Sequence, residues 1–286
     1  MLNNDGLITD FTLPIAIAGL NDVTAITSGM NHSCALVVDA SLRCWGMPHA
    51  AGGIVGSLGN GSFADSPTPV VVAGIGDATS VSAGWYHTCA ARAAGLLSCW
   101  GWNGWQELGI RPPDTLNPFS ALPVLANAQG AVEVDGGRDL TCDRLDNGSV
   151  RCWGEQGLWG DGSPFATASS PNPHVVADVS DATRVDVGGE HACILRATAR
   201  VSCWGSNSTG QLGDGSTATA LTPVDVLGVS DAIQISAGGY TDAGGEHTCA
   251  LHRDSTVSCW GANNVGQLGN GATVNSATPT TVVSQP

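Results

Sequence analysis

Short apolar runs, each of β-strand length, alternate along the chain with glycine-rich polar stretches, and none approaches the roughly 18 residues of a membrane span. The longest, such as Pro69-Val70-Val71-Val72-Ala73-Gly74, are strand-sized. The alternation recurs as a unit of four pieces. A proline-led strand comes first (Pro14-Ile15-Ala16-Ile17, Pro69-Val70-Val71-Val72, Pro123-Val124-Leu125, Pro173-His174-Val175-Val176, Pro223-Val224-Asp225-Val226, Pro279-Thr280-Thr281-Val282). A small apolar strand ending in glycine follows, as in Val81-Ser82-Ala83-Gly84, then two strands of a hairpin, then a loop such as Ser206-Asn207-Ser208-Thr209-Gly210-Gln211-Leu212-Gly213-Asp214-Gly215. Proline at a strand start fits an edge strand, where the missing N–H goes unused. Small residues fit the crowded innermost strand of a blade. Six proline-led strands accompany five copies of the other pieces. Either the first or the last is spare, or one completes a blade begun at the other terminus, or the spare strand pairs with a neighbouring chain.

Cysteine fixes the repeat length. All ten cysteines fall in pairs ten residues apart: Cys34/Cys44, Cys89/Cys99, Cys142/Cys152, Cys193/Cys203 and Cys249/Cys259. Each second member opens Cys-Trp-Gly, at intervals of about 51 to 56 residues, enough for one four-stranded blade and too little for a domain. If Asp146-Asn147-Gly148 is a three-residue hairpin loop, Cys142 and Cys152 face each other across antiparallel strands, within disulfide reach. The competing reading is metal, because a histidine precedes the first cysteine by two residues at His32, His87, His191 and His247. Residues two apart on a strand share a face, so Cys, Cys and His are a conceivable zinc set. Leu140 at the same place in the third unit, with both cysteines kept, and the lack of a recurring fourth ligand favour disulfides. Paired cysteines imply an oxidising compartment, extracellular or at the cell surface. The start Met1-Leu2-Asn3-Asn4-Asp5 shows no secretion signal.

Charge narrows the partners. The net charge is −15 and all ten basic residues are arginine, which opposes nucleic acid and anionic membrane alike. Thirty-nine glycines and fourteen prolines suit many short strands and tight turns. Trp159-Gly160-Asp161-Gly162-Ser163 and Leu212-Gly213-Asp214-Gly215-Ser216 resemble calcium loops but lack the ligand spacing, and read as turns. Sequons stand at Asn31, Asn60, Asn147 and Asn207. No nucleotide loop, zinc-protease helix or nucleophile elbow is present, so no catalytic residue, metal or cofactor is assigned and the chain reads as a non-enzyme.

The signature Trp-Gly-x-Asn…Gly-Gln-Leu-Gly-x-Gly, preceded by Gly-x-x-His-Thr-Cys-Ala-Leu, is clearest at Gly244–Leu251 and Trp260–Gly271. It resembles the repeat of the regulator of chromosome condensation family, in the cysteine-containing form of bacterial surface and secreted proteins. The resemblance implies an all-β, β-propeller fold; members usually have seven blades, and five units are legible here. The expected body is a propeller of about five four-stranded blades with one intra-hairpin disulfide per blade, a single domain over 1–286. Its units run approximately 1–59, 60–109, 110–160, 161–213 and 214–269, with a closing or spare strand at 270–286. Because the family includes an exchange factor, an enzyme inhibitor and a light receptor, the resemblance selects no single activity.

Comparing units separates packing from function. Trp45, Trp100, Trp153, Trp204 and Trp260 recur and read as contacts between blades; Trp85, Trp102, Trp105 and Trp159 do not recur. Three of these, with Tyr86, crowd into the second unit, and clustered Trp and Tyr are what binding hot spots use. Insertions around Met47–Ile54 and around Gly239–Ala243 add loops on a repeat scaffold, a common place for recognition. The expected binding residues are Trp85, Tyr86, Trp102, Trp105, Tyr240 and Asp242, reading a protein or glycan partner from rim loops. The preferred function is a secreted or surface-exposed binding or adhesion module. The alternatives are a surface-layer or filament subunit, homo-oligomeric through strand exchange, and a protein inhibitor or regulator of another enzyme.

Overall fold

A computed structural model describes residues 16–50, 53–110, 118–155, 157–164, 168–239 and 245–283. Its strands form five four-stranded sheets. The first holds β1 (Val23–Ser28), β2 (His32–Val37), β3 (Leu42–Gly46) and, after the two-residue strands β4 (His49–Ala50) and β5 (Gly53–Ile54), β6 (Ser66–Val71). The second holds β7 (Ala78–Ala83), β8 (His87–Arg92), β9 (Leu97–Trp102) and β10 (Phe119–Leu125). The third holds β11 (Ala131–Gly136), β12 (Leu140–Leu145), β13 (Val150–Gly154) and β14 (Ser170–Val175). The fourth holds β15 (Ala182–Val187), β16 (His191–Arg196), β17 (Val201–Gly205) and β18 (Ala220–Asp225). The fifth holds β19 (Ala232–Gly238), β20 (His247–His252), β21 (Val257–Gly261) and β22 (Ser276–Thr281). The chain divides into two compact units, Met1–Gly136 with Ser170–Pro173 and Gly137–Ser169 with His174–Pro286.

Each sheet therefore begins at its small apolar strand and ends at the proline-led one. The sixth proline-led strand is β22, paired with β21 as the fourth strand of the fifth sheet. Of the first proline-led stretch, Pro14 and Ile15 lie outside the described residues. The expectation of proline at the strand start is corrected: it sits inside the strand, and the pairing explains why. Just past the second cysteine of each hairpin the register to the outer strand jumps. It goes from Cys44↔Val70 to Gly46↔Ser66 in the first sheet, and from Cys99↔Val124 to Gly101↔Ser120 in the second. In the fourth it goes from Cys203↔Val224 to Gly205↔Ala220, and in the fifth from Cys259↔Thr280 to Gly261↔Ser276. Pro69, Pro123, Pro223 and Pro279 fall in the skipped stretch. The imide nitrogen thus occupies a bulge on an edge strand, where no ladder donor is needed.

All five cysteine pairs are disulfides: Cys34–Cys44, Cys89–Cys99, Cys142–Cys152, Cys193–Cys203 and Cys249–Cys259. Each joins directly opposed residues of the central hairpin, with Cα atoms 4.1 Å apart. A nitrogen-base-and-carboxylate clasp recurs beside them. Asp77 holds Arg92 at 2.7 Å, Asp181 holds Arg196 at 2.6 Å, and Asp231 holds His252 at 2.7 Å.

The core lies between consecutive sheets. Leu36, Leu42, Leu58 and Val72 pack with Ile75, Ala78, Ala90 and Trp100, and the same layering joins Leu195, Val201, Leu212 and Val226 to Ile235, Ala250 and Trp260. Trp100, Trp153, Trp204 and Trp260 are fully buried, as their recurrence indicates, while Trp45 is half-buried. Their indole N–H groups reach back to the preceding loop: Trp100 to the Ser57 carbonyl at 2.9 Å, Trp204 to Leu158 at 3.0 Å, Trp260 to Gln211 at 2.9 Å. This contact requires the glycine that follows the loop leucine. A Cβ on Gly213, at φ +70°, would stand 2.7 Å from the Trp260 indole nitrogen. The loop itself is tied by asparagine, whose Oδ1 accepts the leucine N–H at Asn103–Leu108, Asn207–Leu212 and Asn263–Leu268, at 3.1, 3.0 and 3.0 Å. Asn207 is fully buried by this role, which is incompatible with a glycan at that sequon.

Candidate functional site

In the second sheet, the turn from β7 to β8 carries Trp85 and Tyr86, and β9 ends on Trp102 at the same end. Trp102 N–H donates to the Tyr86 carbonyl at 3.0 Å. That approach is tight enough to demand Gly101, which has φ +102° and whose added Cβ would stand 2.4 Å from the same oxygen. Trp85 and Tyr86 meet edge to face at 6.4 Å and 89°. The Trp102 indole lies against Gly104, where there is no side chain to displace it. Trp105 follows at 42% exposure, its N–H bound to the Glu107 carboxylate at 2.9 Å.

Met30, which sequence reasoning missed, extends the patch: it is 43% exposed, its N–H donates to the Trp85 carbonyl at 3.1 Å, and its sulfur accepts the Tyr86 hydroxyl at 3.0 Å. The signal was available. Met30 occupies the place of Trp85, two residues before the recurring histidine, and neither matches the other units. Four of the expected residues thus share one sheet end. Tyr240 and Asp242 lie outside the described residues. Trp159, the remaining non-recurring tryptophan, is 4% exposed and stacks on His174 at 3.8 Å, so it serves packing.

The bridges stand apart from this surface. Cys34, Cys44, Cys89, Cys99, Cys142, Cys152, Cys193, Cys203 and Cys259 are buried, and Cys249 is half-buried. They hold the strands that carry the tips and offer nothing to a ligand. The histidines weighed as zinc ligands beside them have another task. His32 Nε2 meets Thr88 Oγ1 at 2.8 Å and His191 Nε2 meets Thr248 Oγ1 at 2.9 Å, each reaching to the next sheet, while the cysteines bond one another. Burial lowers His32 to about 4; burial and the His32 charge lower His87 to about 3. The two calcium-like loops are turns: Asp161 and Asp214 accept the Ser163 and Ser216 N–H groups at 2.9 Å.

The equivalent turns of the third and fourth sheets are charged. Arg138 bridges Asp139 at 3.1 Å and Glu190 at 3.2 Å. Burial pushes Asp139 up to about 6, with the Glu190 charge adding to it against Arg138's opposing pull. Burial, with the charges of Asp139 and Glu190, pushes Glu155 up to about 7. Burial pushes Glu246 up too, but His191, the Gln211 amide and the Glu190 N–H outweigh it and hold the carboxyl below its usual value.

Disulfide-stapled, four-stranded sheets repeated five times define a repeat β-propeller. Two profiles of the Regulator of chromosome condensation (RCC1) repeat match, one at residues 78–104 and 182–211, the other at 200–251 and 254–286. Over these residues the chain carries regulator of chromosome condensation repeats.

Among curated relatives, it is 26% identical to the Ultraviolet-B receptor UVR8 of Arabidopsis thaliana, over 94% of this chain and 60% of that protein. It is 26% identical to the E3 ubiquitin-protein ligase HERC2 of Homo sapiens, over 87% of this chain and 5% of the ligase. The chain thus spans about three fifths of the receptor and a twentieth of the ligase. Among solved structures, Prp20p of Saccharomyces cerevisiae superposes with a TM-score of 0.80 at 17% identity, covering 92% of this chain and 63% of its own. Human WBSCR16 superposes at 0.75 and 18% identity, covering 92% and 67%. Both likenesses speak to the fold.

Proposed function

We propose that this protein is a non-enzymatic recognition module that grips a protein partner through the aromatic end of its second sheet. Propellers of this repeat family act as binding and regulatory bodies, and Prp20p is described with binding to Gsp1p and histones. The observation that carries the reading is that Met30, Trp85 and Tyr86 touch one another at a strand end to which the Trp102 backbone is bonded, with exposed Trp105 three residues on. Rigid aromatics with few rotamers lose little entropy on docking and bury large area, the combination found at hot spots. An acidic chain with a net charge of −15 suits a partner with a basic rim. Five disulfides support action outside the reducing cytosol, as a secreted or surface-exposed adhesion module.

The test is capture of extracellular and surface proteins on the immobilised oxidised chain, compared with Trp102→Ala/Trp105→Ala. A specific partner should bind wild type and lose roughly 2–4 kcal/mol of affinity to the double variant, about 30-fold or more. Equal capture by both proteins sinks the assignment.

A further inference from the structure

Methionine is scarce in this chain, with Met1, Met30 and Met47 its three copies. Met1 lies outside the described residues, and Met47 is half-buried. Met30 is 43% exposed, in the turn from β1 to β2, and two residues of the second sheet hold it there. Its N–H donates to the Trp85 carbonyl at 3.1 Å, and its sulfur accepts the Tyr86 hydroxyl at 3.0 Å. Tyr86 in turn meets Trp85 edge to face, with ring centroids 6.4 Å apart. The sulfur therefore heads a chain of contacts that runs through a phenol to an indole.

That chain starts from a poor partner. A thioether is a weak acceptor, so the phenol commits its one O–H to a weak bond. Two-electron oxidants convert an accessible methionine to the sulfoxide, which turns a flexible apolar side chain into a polar one. No free thiol competes for such an oxidant, because all ten cysteines are already joined as disulfides.

We propose that Met30 is an oxidation site at which a peroxide converts the thioether to the sulfoxide, with Tyr86 holding the product, and that this weakens the grip of the aromatic end on its partner. A sulfur lone pair attacks one oxygen of hydrogen peroxide, and the S–O bond forms as the O–O bond breaks. The departing hydroxide takes the proton of the transferred oxygen and leaves as water. Sulfur gives up two electrons and the peroxide accepts them. The new oxygen is a better acceptor than the sulfur was, so the Tyr86 hydroxyl transfers its bond to it. Because that oxygen stands between sulfur and hydroxyl, the phenol retreats from the sulfur and its edge shifts against Trp85. The loss of grip rests on the recognition function proposed above; the oxidation itself does not.

The test treats the disulfide-bonded chain with hydrogen peroxide, beside Met30→Leu and Tyr86→Phe, and maps the peptides by mass spectrometry. Wild type should gain one oxygen at Met30 before Met47 gains any, because Met30 is the more exposed. Tryptophan emission should shift in step with that oxygen. The shift should be lost in Met30→Leu, which has no sulfur there, and in Tyr86→Phe, which gains the oxygen but has no hydroxyl to move. Oxygen arriving first at Met47, or an equal emission shift in wild type and Tyr86→Phe, overturns the inference. Treated wild type should bind its captured partner about 5-fold or more weakly, the cost of a polar oxygen placed in an apolar contact. Met30→Leu should keep its own affinity, whatever the starting value, through the same treatment. A partner held equally by treated and untreated wild type also overturns the inference. A chain that captures no partner before treatment overturns the recognition assignment alone, because the oxygen at Met30 and the emission shift are read without one.

Discussion

At the residue scale, one backbone carbonyl accepts two buried donors at the junction of the first and second sheets and again at that of the fourth and fifth. The Gln211 carbonyl accepts Thr248 Oγ1–H and Trp260 Nε1–H, both at 2.9 Å, in a place that water does not reach. A buried donor deleted without a substitute leaves its acceptor short of a partner. Trp204→Phe, which strips the bond to the Leu158 carbonyl, should lower stability by about 1–3 kcal/mol in thermal or denaturant unfolding. Titration gives a second expectation at this scale. Asp139 and Glu155, raised to about 6 and about 7, bind protons more readily folded than unfolded. They therefore add stability as pH falls through those values and withdraw it as pH rises. His32 and His87, lowered to about 4 and about 3, act with opposite sign: the unfolded chain takes up protons first, so acidification below the usual imidazole range costs stability. Glu155→Gln should then melt above wild type at pH ~7.5 and lose that advantage by pH ~5, as followed by calorimetry. The recurring tryptophans were legible as packing from their spacing alone. The junction column Thr27, Ser82, Asp135, Asp186 and Ser236 was not, because a small polar residue on a short strand carries no periodic signal until the neighbouring strand is known.

At the element scale, the hairpin is the independent piece. Its two strands, their loop and their disulfide are contiguous in sequence, so composition and the ten-residue spacing were enough to place Cys142 opposite Cys152. The outer strand is different. Whether a proline-led strand belongs to the unit before it or after it depends on hydrogen bonds across a long loop, and chain order is silent on that. Pro67, Pro69, Pro123, Pro223 and Pro279 also sit inside their strands, a position that reads as a strand boundary until the bulge is seen. Two measurements check this scale. Reduction should add two hydrogens per bridge by intact mass spectrometry, across all five bridges. Cys193→Ala/Cys203→Ala should lower stability by roughly 2–3 kcal/mol, the loop-closure entropy of a short ring.

For the whole molecule, charge and aromatics divide the labour. With a net charge of −15, the chain attracts a partner with a basic rim at long range, so the proposed capture should weaken as ionic strength rises and screens that attraction. Capture at low and moderate salt reads this directly, and the opposite trend would mean that apolar contact rather than charge draws the partner in. The aromatic end of the second sheet was legible because Trp85, Tyr86, Trp102 and Trp105 break a pattern the other units keep. Met30 was missed because a lone methionine breaks it quietly. The acidic network of Asp139, Glu155 and Glu190 was invisible for a different cause: its members come from separate loops, and only folding sets their carboxylates beside one Arg138.

The recurring seam has an evolutionary corollary. Sheets that meet through the same indole-to-carbonyl bond, as at Trp100, Trp204 and Trp260, let a duplicated or deleted gene segment of one period yield a product whose new seam already fits. Blade number is then free to drift between lineages while the tips diversify, and a lineage can change how many blades it carries without first inventing a fresh joint.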